Sequence, residues 1–381
     1  MKNRGGRLVA LELRGARFAA ALDEVWGAGD CALPLPPGLP PAERARILQE
    51  MRPEAVIDEG GESLLPGGEG IESGVAAVVL TSGTAGPPKG VELTHEALNA
   101  AAKASSARLG VNSGDRWLLC VPPERIAGLS ILVRSRLIGR APAILARFDV
   151  GGFEAAEASL VSLVPTMLVR LLDAGADLTR WRRILLGGGP APPGLLQRAG
   201  AAGANVVTTY GMTETCGGCV YDGAPLDGVE VRVGVDGAIS LRGPILMRGY
   251  RRGRDLTHRA LKDGWFHTSD VGAWSEDGRL RVLGRADEAI ITGGLKVWPA
   301  VAAARLAEHP EVAEAAVFGR PDLEWGRRVV AVIVPRDQGA SPGLAELRDF
   351  VAEAIERHNA PKELITLPEI PRLPSGKLDL A

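Results

Sequence analysis

The stretch "VAAVVLTSGTAGPPKG", Val75 to Gly90, decides how the rest of the chain is read. An apolar run without alternation leads straight into ten residues holding three glycines, two prolines, three hydroxyls and one lysine. Apolar residues in unbroken succession fit a strand covered on both faces. A glycine-rich loop leaving such a strand suits a phosphate cradle. The hydroxyls of Thr81, Ser82 and Thr84, the backbone N–H groups and Lys89 can all donate to phosphate oxygens. Gly83, Gly86 and Gly90 let the backbone approach a bulky anion without Cβ clashes. The familiar spacing G-x-x-x-x-G-K-[ST] does not fit, because Pro88 and Gly90 stand where Gly and Ser or Thr belong. An ordinary Gly-Pro surface turn fits the same residues, so the loop alone leaves both readings open.

The surrounding chain narrows the choice. Its 381 residues exceed one compact unit and point to two or three domains. Lys and Arg total 44 against 46 Asp and Glu, with the signs interspersed, so no basic stripe argues for nucleic acid. Apolar residues make up 46% and aromatic residues 4%, a balance that fits an α/β enzyme better than a β-sandwich. Glu12, Arg14 and Arg17 interrupt the N-terminal apolar residues, so a signal peptide is not expected. No apolar run has the length of a membrane span. The expectation is a cytoplasmic protein. Cys31, Cys120, Cys216 and Cys219 do not form a disulfide pattern. Cys216 and Cys219 make one C-x-x-C without a second pair or histidines at metal spacing, and read as packing residues beside a glycine turn.

Before the quoted stretch, "LVALEL" and "EAVID" read as strands, and "RFAAALDEVWGAG" and "PAERARILQEM" as helices. "EGGESLLPGGEGIESG" reads as an exposed, mobile loop. After it, "THEALNAAAKASSARLG" is a helix with Thr94 as N-cap and Gly110 at its end. Strand and helix patterns then alternate as far as "NVVTTYG", as in a layered α/β domain. Near residue 225 the texture changes to period two, with hairpin signals at "VDG" and at Asp277-Gly278. From "RADEAIITGGLKVWP" to the end, the pattern is that of a small α+β domain.

Four further motifs carry polar chemistry. "TTYGMTET", Thr208 to Thr215, follows an apolar strand and offers a tyrosine face, hydroxyls and Glu214. A carboxylate among hydroxyls near phosphates is a plausible ligand for Mg²⁺, which prefers oxygen donors; a strand-end loop with a capping threonine fits equally. "GWFHTSDVG" places Asp270 in a loop between β segments, where it would accept from ribose hydroxyls or merely form a turn. Arg285 in "LGRADE" would hold the same sugar or a phosphate, or make a surface ion pair. Lys377 sits on a Ser-Gly turn near the C-terminus and alone reads as a solvated charge.

Together, "TSGTAGPPKG", "TYGMTET", "GWFHTSD", "GRADEAIITGG" and the terminal "SGK" resemble, in order and spacing, the adenylate-forming enzymes: acyl- and aryl-CoA ligases, luciferases and peptide-synthetase adenylation domains. The resemblance runs from about residue 73 to the end. Only roughly 80 residues precede the loop, fewer than in most relatives. That short form, with "IAGLSILVRS", "SLVPTMLVRLL", "LLGGGPAP" and "ETCGGCVYDGAPLDGVEV", looks most like the o-succinylbenzoate–CoA ligases of menaquinone synthesis in high-GC bacteria.

The resemblance implies a large N-terminal layered α/β domain with an antiparallel β region, residues 1–286, and a small mobile α+β domain, residues 287–381, hinged at Asp287. It implies ATP, Mg²⁺ and coenzyme A, no nucleic-acid partner, and allows a homodimer. Thr81, Ser82, Gly83, Thr84, Gly86 and Lys89 would hold the β- and γ-phosphates, with Thr84 also beside the metal. Thr213 would bind the α-phosphate and Glu214 the Mg²⁺. Thr209, Tyr210, Gly211 and Met212, with Gly188 and Gly189, would frame the adenine, and Asp270 and Arg285 the ribose. Gly293, Gly294, Leu295 and Lys296 would line the path of coenzyme A. Arg125, Ser130, Arg134 and Gly187 are candidates for the acyl pocket. The sequence departs from the family at Glu124-Arg125, where relatives usually carry His or an aromatic.

Lys377 would bridge the α-phosphate and the attacking carboxylate in the first half-reaction only. Lys377→Ala should therefore cripple adenylate formation, read as acid-dependent pyrophosphate release, yet spare thioester formation from supplied acyl-adenylate. Equal loss in both halves counts against that role.

Overall fold

In the computed structural model, which describes residues 5–81, 88–191, 194–337, 339 and 341–371, the quoted apolar run is the strand Val75–Thr81, buried from Val75 to Val79. It lies parallel to Cys31–Pro34 and antiparallel to Lys89–Thr94, with Thr81 opposite Lys89. The described residues form two compact units, one within 1–189, 199–232 and 240–268, the other within 190–198, 233–239 and 269–381.

The first unit is built on two seven-stranded sheets. One runs in the order Gly249–Tyr250, Lys89–Thr94, Val75–Thr81, Cys31–Pro34, Leu8–Leu11, Ala55–Asp58, Gly61–Leu64. The N-terminal segment thus supplies more than half of this sheet's strands rather than preceding the core. Its side chains Leu8, Ala10, Leu33, Leu35, Ile47 and Val56 pack with Val75 and Val78 in one cluster. "EGGESLLP" is not a free loop: Gly61–Leu64 pairs antiparallel with Ala55–Asp58. Glu59 and Gly60 make the two-residue turn between them, Gly61 enters the strand at φ +109, and the exposure of all four residues hid the strand from an apolar pattern.

The second sheet runs Ala224–Pro225, Gly217–Tyr221, Val206–Met212, Arg183–Leu186, Leu160–Leu163, Trp117–Leu119, Ala143–Ile144. Helix His95–Leu109 touches both Lys89–Thr94 and Gly217–Tyr221, and so joins the two sheets. It begins as read: the Ala97 N–H donates to Thr94 Oγ1 at 3.0 Å, and Gly110 closes it at φ +62. Helix Ile126–Leu137 packs beside it. A short helix, Arg254–Ala260, buries none of its residues and had no apolar stripe to betray it.

In the second unit, Gly326–Pro335 is flanked by antiparallel Val312–Asp322 and Ile290–Thr292 and by parallel Glu363–Thr366. Helices Pro299–Ala307 and Leu344–Ala352 contribute Ala302, Leu306, Leu347 and Val351 to its core. The mixed α/β architecture, a larger first part and a smaller second, is the one expected. Among the described residues no helix is long and apolar enough to cross a membrane.

Arg251 fastens the N-terminal segment to the rest of the first unit. Its guanidinium, 6% exposed, donates to the carbonyls of Met51 at 3.1 Å, Gly70 at 3.2 Å and Glu69 at 2.5 Å. Its own N–H donates to the Gly90 carbonyl at 2.8 Å. Arg251→Ala should lower the unfolding free energy by about 3 kcal/mol, because several hydrogen bonds from one charged donor are lost together. Urea unfolding measures this; a loss under roughly 1 kcal/mol would mean that water replaces the guanidinium.

Candidate active site

Three strand ends and one helix converge in the first unit. Arg183–Leu186 ends at Gly187, beside Val206–Met212, with Leu186 opposite Thr208. Val206–Met212 in turn pairs with Gly217–Tyr221, and the register slips between Tyr210 and Gly211. The packing there leaves no room for side chains. A Cβ on Gly211 would lie 2.1 Å from the Gly217 carbonyl oxygen, and one on Gly187 would lie 2.3 Å from Thr209 Oγ1. A Cβ on Gly218 would meet Tyr221 at 2.9 Å and Thr209 at 3.1 Å. Gly188, at φ +81, adopts the left-handed conformation that glycine takes without strain, and a Cβ on Gly189 would meet nothing. The "TTYG" residues read as a loop are therefore still strand; Thr209 and Tyr210 are half-buried.

At Thr213 the chain turns into a short 3-10 helix, Thr213–Thr215. Buried Thr215 receives the Met212 N–H at 3.0 Å and donates to the Gly217 carbonyl at 2.7 Å, so its hydroxyl closes the turn. This presents Glu214, half-buried, on the side where strand Lys89–Thr94 approaches. Glu214 is held at two points. Its carbonyl accepts from the Met247 N–H at 2.8 Å, and its Oε1 accepts from the Tyr250 hydroxyl at 2.9 Å. Burial first, then the neighbouring carboxylate, raises the pKa of the Tyr250 phenol. Neither residue 247 nor 250 was read as part of a site; "RGY" at a strand end carries no sequence signal for it.

Among the described residues no three His, Cys, Asp or Glu side chains cluster as a metal site. Mg²⁺ is commonly held by one or two carboxylates together with substrate phosphates rather than by a protein cage. A single anchored carboxylate such as Glu214 fits that use. Of the phosphate-loop residues, Thr81 and Lys89 stand opposite each other at the loop's neck, Lys89 exposed. Ser82, Gly83, Thr84 and Gly86 lie outside the described residues, as does Lys377.

The remaining candidates divide between the units. Ser130 and Arg134 lie on helix Ile126–Leu137 in the first. The site that would receive a Cβ on Gly217 is 3.9 Å from Ser130. Arg134 is 6% exposed. Its Nη2 donates to Ser130 Oγ at 2.6 Å and its Nε to the Ser130 carbonyl at 3.1 Å. Its carbon Cζ sits 4.4 Å from the Trp117 ring centroid. Nη1 is buried with no hydrogen-bond partner, and no acidic side chain pairs with Arg134 among the described residues. Burial pushes its pKa down. A cavity of about 10 Å³, lined in part by Ser130, Arg134, Cys216, Gly218 and Tyr221, adjoins it. Arg125, by contrast, is exposed ahead of the helix.

In the second unit, Asp270 corrects its reading as a loop residue. It lies within strand Trp265–Trp274, opposite Arg285 on Leu280–Arg285. The turn falls earlier, at Asp263 and Gly264, both at positive φ, while Gly272 sits beside a register slip. Arg285 donates to both Asp287 carboxylate oxygens, at 2.9 and 3.2 Å. "TGGLK" is a two-residue hairpin: Thr292 pairs with Leu295, and Gly293 and Gly294 take φ +56 and +80. Positive φ at both positions is what a type I′ turn demands. Gly293 also donates to the Trp325 carbonyl at 2.9 Å, and a Cβ there would lie 2.9 Å from that ring.

The family of AMP-binding enzymes matches residues 72–251, and the AMP-binding enzyme C-terminal domain matches 303–377. A probable 2-succinylbenzoate–CoA ligase of Mycobacterium tuberculosis H37Rv is 48% identical over 328 residues, covering 82% of this chain and 85% of that one. The o-succinylbenzoate CoA synthetase of Bacillus subtilis, in complex with its acyl-adenylate intermediate, superposes with a TM-score of 0.83 at 30% identity, over 99% of this chain and 87% of that one. The same Bacillus subtilis protein with ATP and magnesium gives 0.82 at 30% identity, over 99% and 89%. The chain belongs to the AMP-binding enzymes.

The cysteines behave as packing residues: all four are buried and unbonded to one another. Burial lifts the thiols of Cys120 and Cys219 to about 12, and those of Cys31 and Cys216 above the usual range. Native protein at pH 8 should leave a thiol-specific disulfide reagent uncoloured, and denatured protein should titrate all four. A fast-reacting native thiol would revive a redox role for the C-x-x-C pair.

Proposed function

We propose that the protein is an AMP-forming acid–CoA ligase acting on o-succinylbenzoate, in menaquinone synthesis. The reading rests on one observation above the others: a buried guanidinium, Arg134, behind Ser130 and the glycine-lined strand ends, with Nη1 unpartnered and no carboxylate beside it among the described residues. A buried charge without an opposite charge is costly. A substrate with two carboxylates supplies the missing partner while its other carboxylate reacts. The cavity adjoining Arg134 has the size of one water. The similarity to 2-succinylbenzoate ligases supports the same substrate.

In the first half-reaction, an oxygen of the reacting carboxylate attacks the α-phosphorus of ATP. The bond to the β-phosphate oxygen breaks, giving acyl-adenylate and pyrophosphate. In the second, the thiol of coenzyme A loses its proton as sulfur attacks the acyl carbon, and AMP departs. The residues work by position and charge. Thr81 and Lys89 hold the departing phosphates, Tyr210 stacks on the base, and Thr213 binds the α-phosphate. Asp270 and Arg285 bind the ribose. Glu214 would hold Mg²⁺, which would neutralise phosphate charge; the similar Bacillus subtilis protein is in complex with ATP and magnesium. Lys377 completes the first half-reaction. The domain of residues 287–381 then turns about Asp287, and the Gly293–Lys296 hairpin serves the second.

A pyrophosphate-release screen across carboxylic acids tests the substrate. o-Succinylbenzoate should give the highest kcat/KM. Arg134→Met should lower that value about 100-fold while costing analogues without the ring carboxylate less than about threefold, since a site built to pair a charged group discriminates by several kcal/mol. Equal losses for both acids would remove Arg134 from substrate recognition.

A further inference from the structure

We infer that Tyr250 is a positioning residue for the metal-binding carboxylate, tying Glu214 to the strand that leaves the phosphate loop. The inference rests on the reading of Glu214 given above. Tyr250 lies on the edge strand Gly249–Tyr250, which pairs with Lys89–Thr94: Tyr250 faces Val91 and Gly249 faces Glu92. Its hydroxyl donates to Glu214 Oε1 at 2.9 Å. A phenol and a carboxylate at this distance share a charge-assisted hydrogen bond with Tyr as donor, which leaves carboxylate lone pairs for a cation.

Tyr250 is itself fixed from behind. Its N–H donates to Thr257 Oγ1 at 2.8 Å, and that hydroxyl donates to the Gly253 carbonyl at 2.9 Å, anchoring it to helix Arg254–Ala260. Gly249 is bare because a Cβ there would lie 2.8 Å from Thr257 Cγ2. The same short segment also grips the Glu214 backbone, through the Met247 N–H at 2.8 Å. The carboxylate and the neck of the phosphate loop are thereby referred to one strand. Neither can shift against the other without breaking the 249–250 pairing or the phenol bond. Metal bound by Glu214 would then keep a fixed place relative to phosphates held at Thr81 and Lys89.

Tyr250→Phe removes one oxygen and keeps the ring and all the backbone bonds. Binding of Mn²⁺ to the full-length protein with α,β-methylene-ATP, followed by electron paramagnetic resonance of free metal, tests the role. Tyr250→Phe should weaken Mn²⁺ about tenfold, as loss of a partner that orients a metal ligand commonly does. Binding of the nucleotide without metal and the thermal unfolding midpoint should stay as in the parent. In a Glu214→Gln background the same change should have no further effect. Unchanged Mn²⁺ affinity in Tyr250→Phe, with Glu214→Gln weakened, overturns the positioning role alone. Equal weakening by Tyr250→Phe in both backgrounds also overturns it, as a general loss of structure. Undiminished affinity in Glu214→Gln overturns the metal assignment itself, and the inference with it.

Discussion

The register of one strand pair, Thr81 opposite Lys89, sets the site on which the rest depends. Val75–Thr81 lies inside its sheet, with Cys31–Pro34 on one side and Lys89–Thr94 on the other. A strand held on both edges cannot slip by one residue without reversing every side chain between the faces. Thr81 and Lys89 are therefore held at fixed points opposite each other. Arg251 adds a second constraint, because its N–H holds the Gly90 carbonyl while its guanidinium holds three carbonyls of the N-terminal segment. The short N-terminal region is thus part of what keeps the loop's neck in place.

The other half of the site depends on crowding rather than on charge. Gly187, Gly211 and Gly218 are bare because neighbouring backbone or side-chain atoms already occupy the place of a Cβ. Close approach there lets three strand ends meet, and it leaves polar atoms rather than apolar side chains at the surface they form. Thr215 shows the local cost. Its hydroxyl is committed to closing the turn, so the exposed work falls to its neighbours Thr213 and Glu214.

Sequence patterns carried most of the α/β layering, because buried strands and capped helices leave marks in composition: Thr94 and Gly110 bound their helix as read. Where burial is absent, so is the mark. Strand Gly61–Leu64 is exposed throughout and helix Arg254–Ala260 buries nothing. Asp270 was misplaced for a different reason: flanking glycines look alike whether they make a turn or sit beside a bulge. In the candidate site, motif residues were legible by type and spacing, but their partners were not. Tyr250 reaches Glu214 across 36 positions, and Arg251 reaches Gly70 across 181. Such pairings arise from the fold, not from any local pattern.

Arg134 brings these strands of reasoning together. A cation this deeply buried would be better replaced by an apolar residue if it served stability alone. Trp117 and Ser130 satisfy part of it, through the ring face and two hydrogen bonds, and Nη1 has no partner among the described residues. Buried ionic groups are usually satisfied from all sides, so an incomplete set beside strand ends stripped of side chains fits a partner from outside the described residues. On the proposed reading, that partner is the second carboxylate of the substrate. Recognition by a waiting charge is asymmetric: an acid lacking the group leaves the guanidinium desolvated and unpaired, whereas the right acid relieves it. The unpaired buried charge at Arg134 would then be the source of its selectivity.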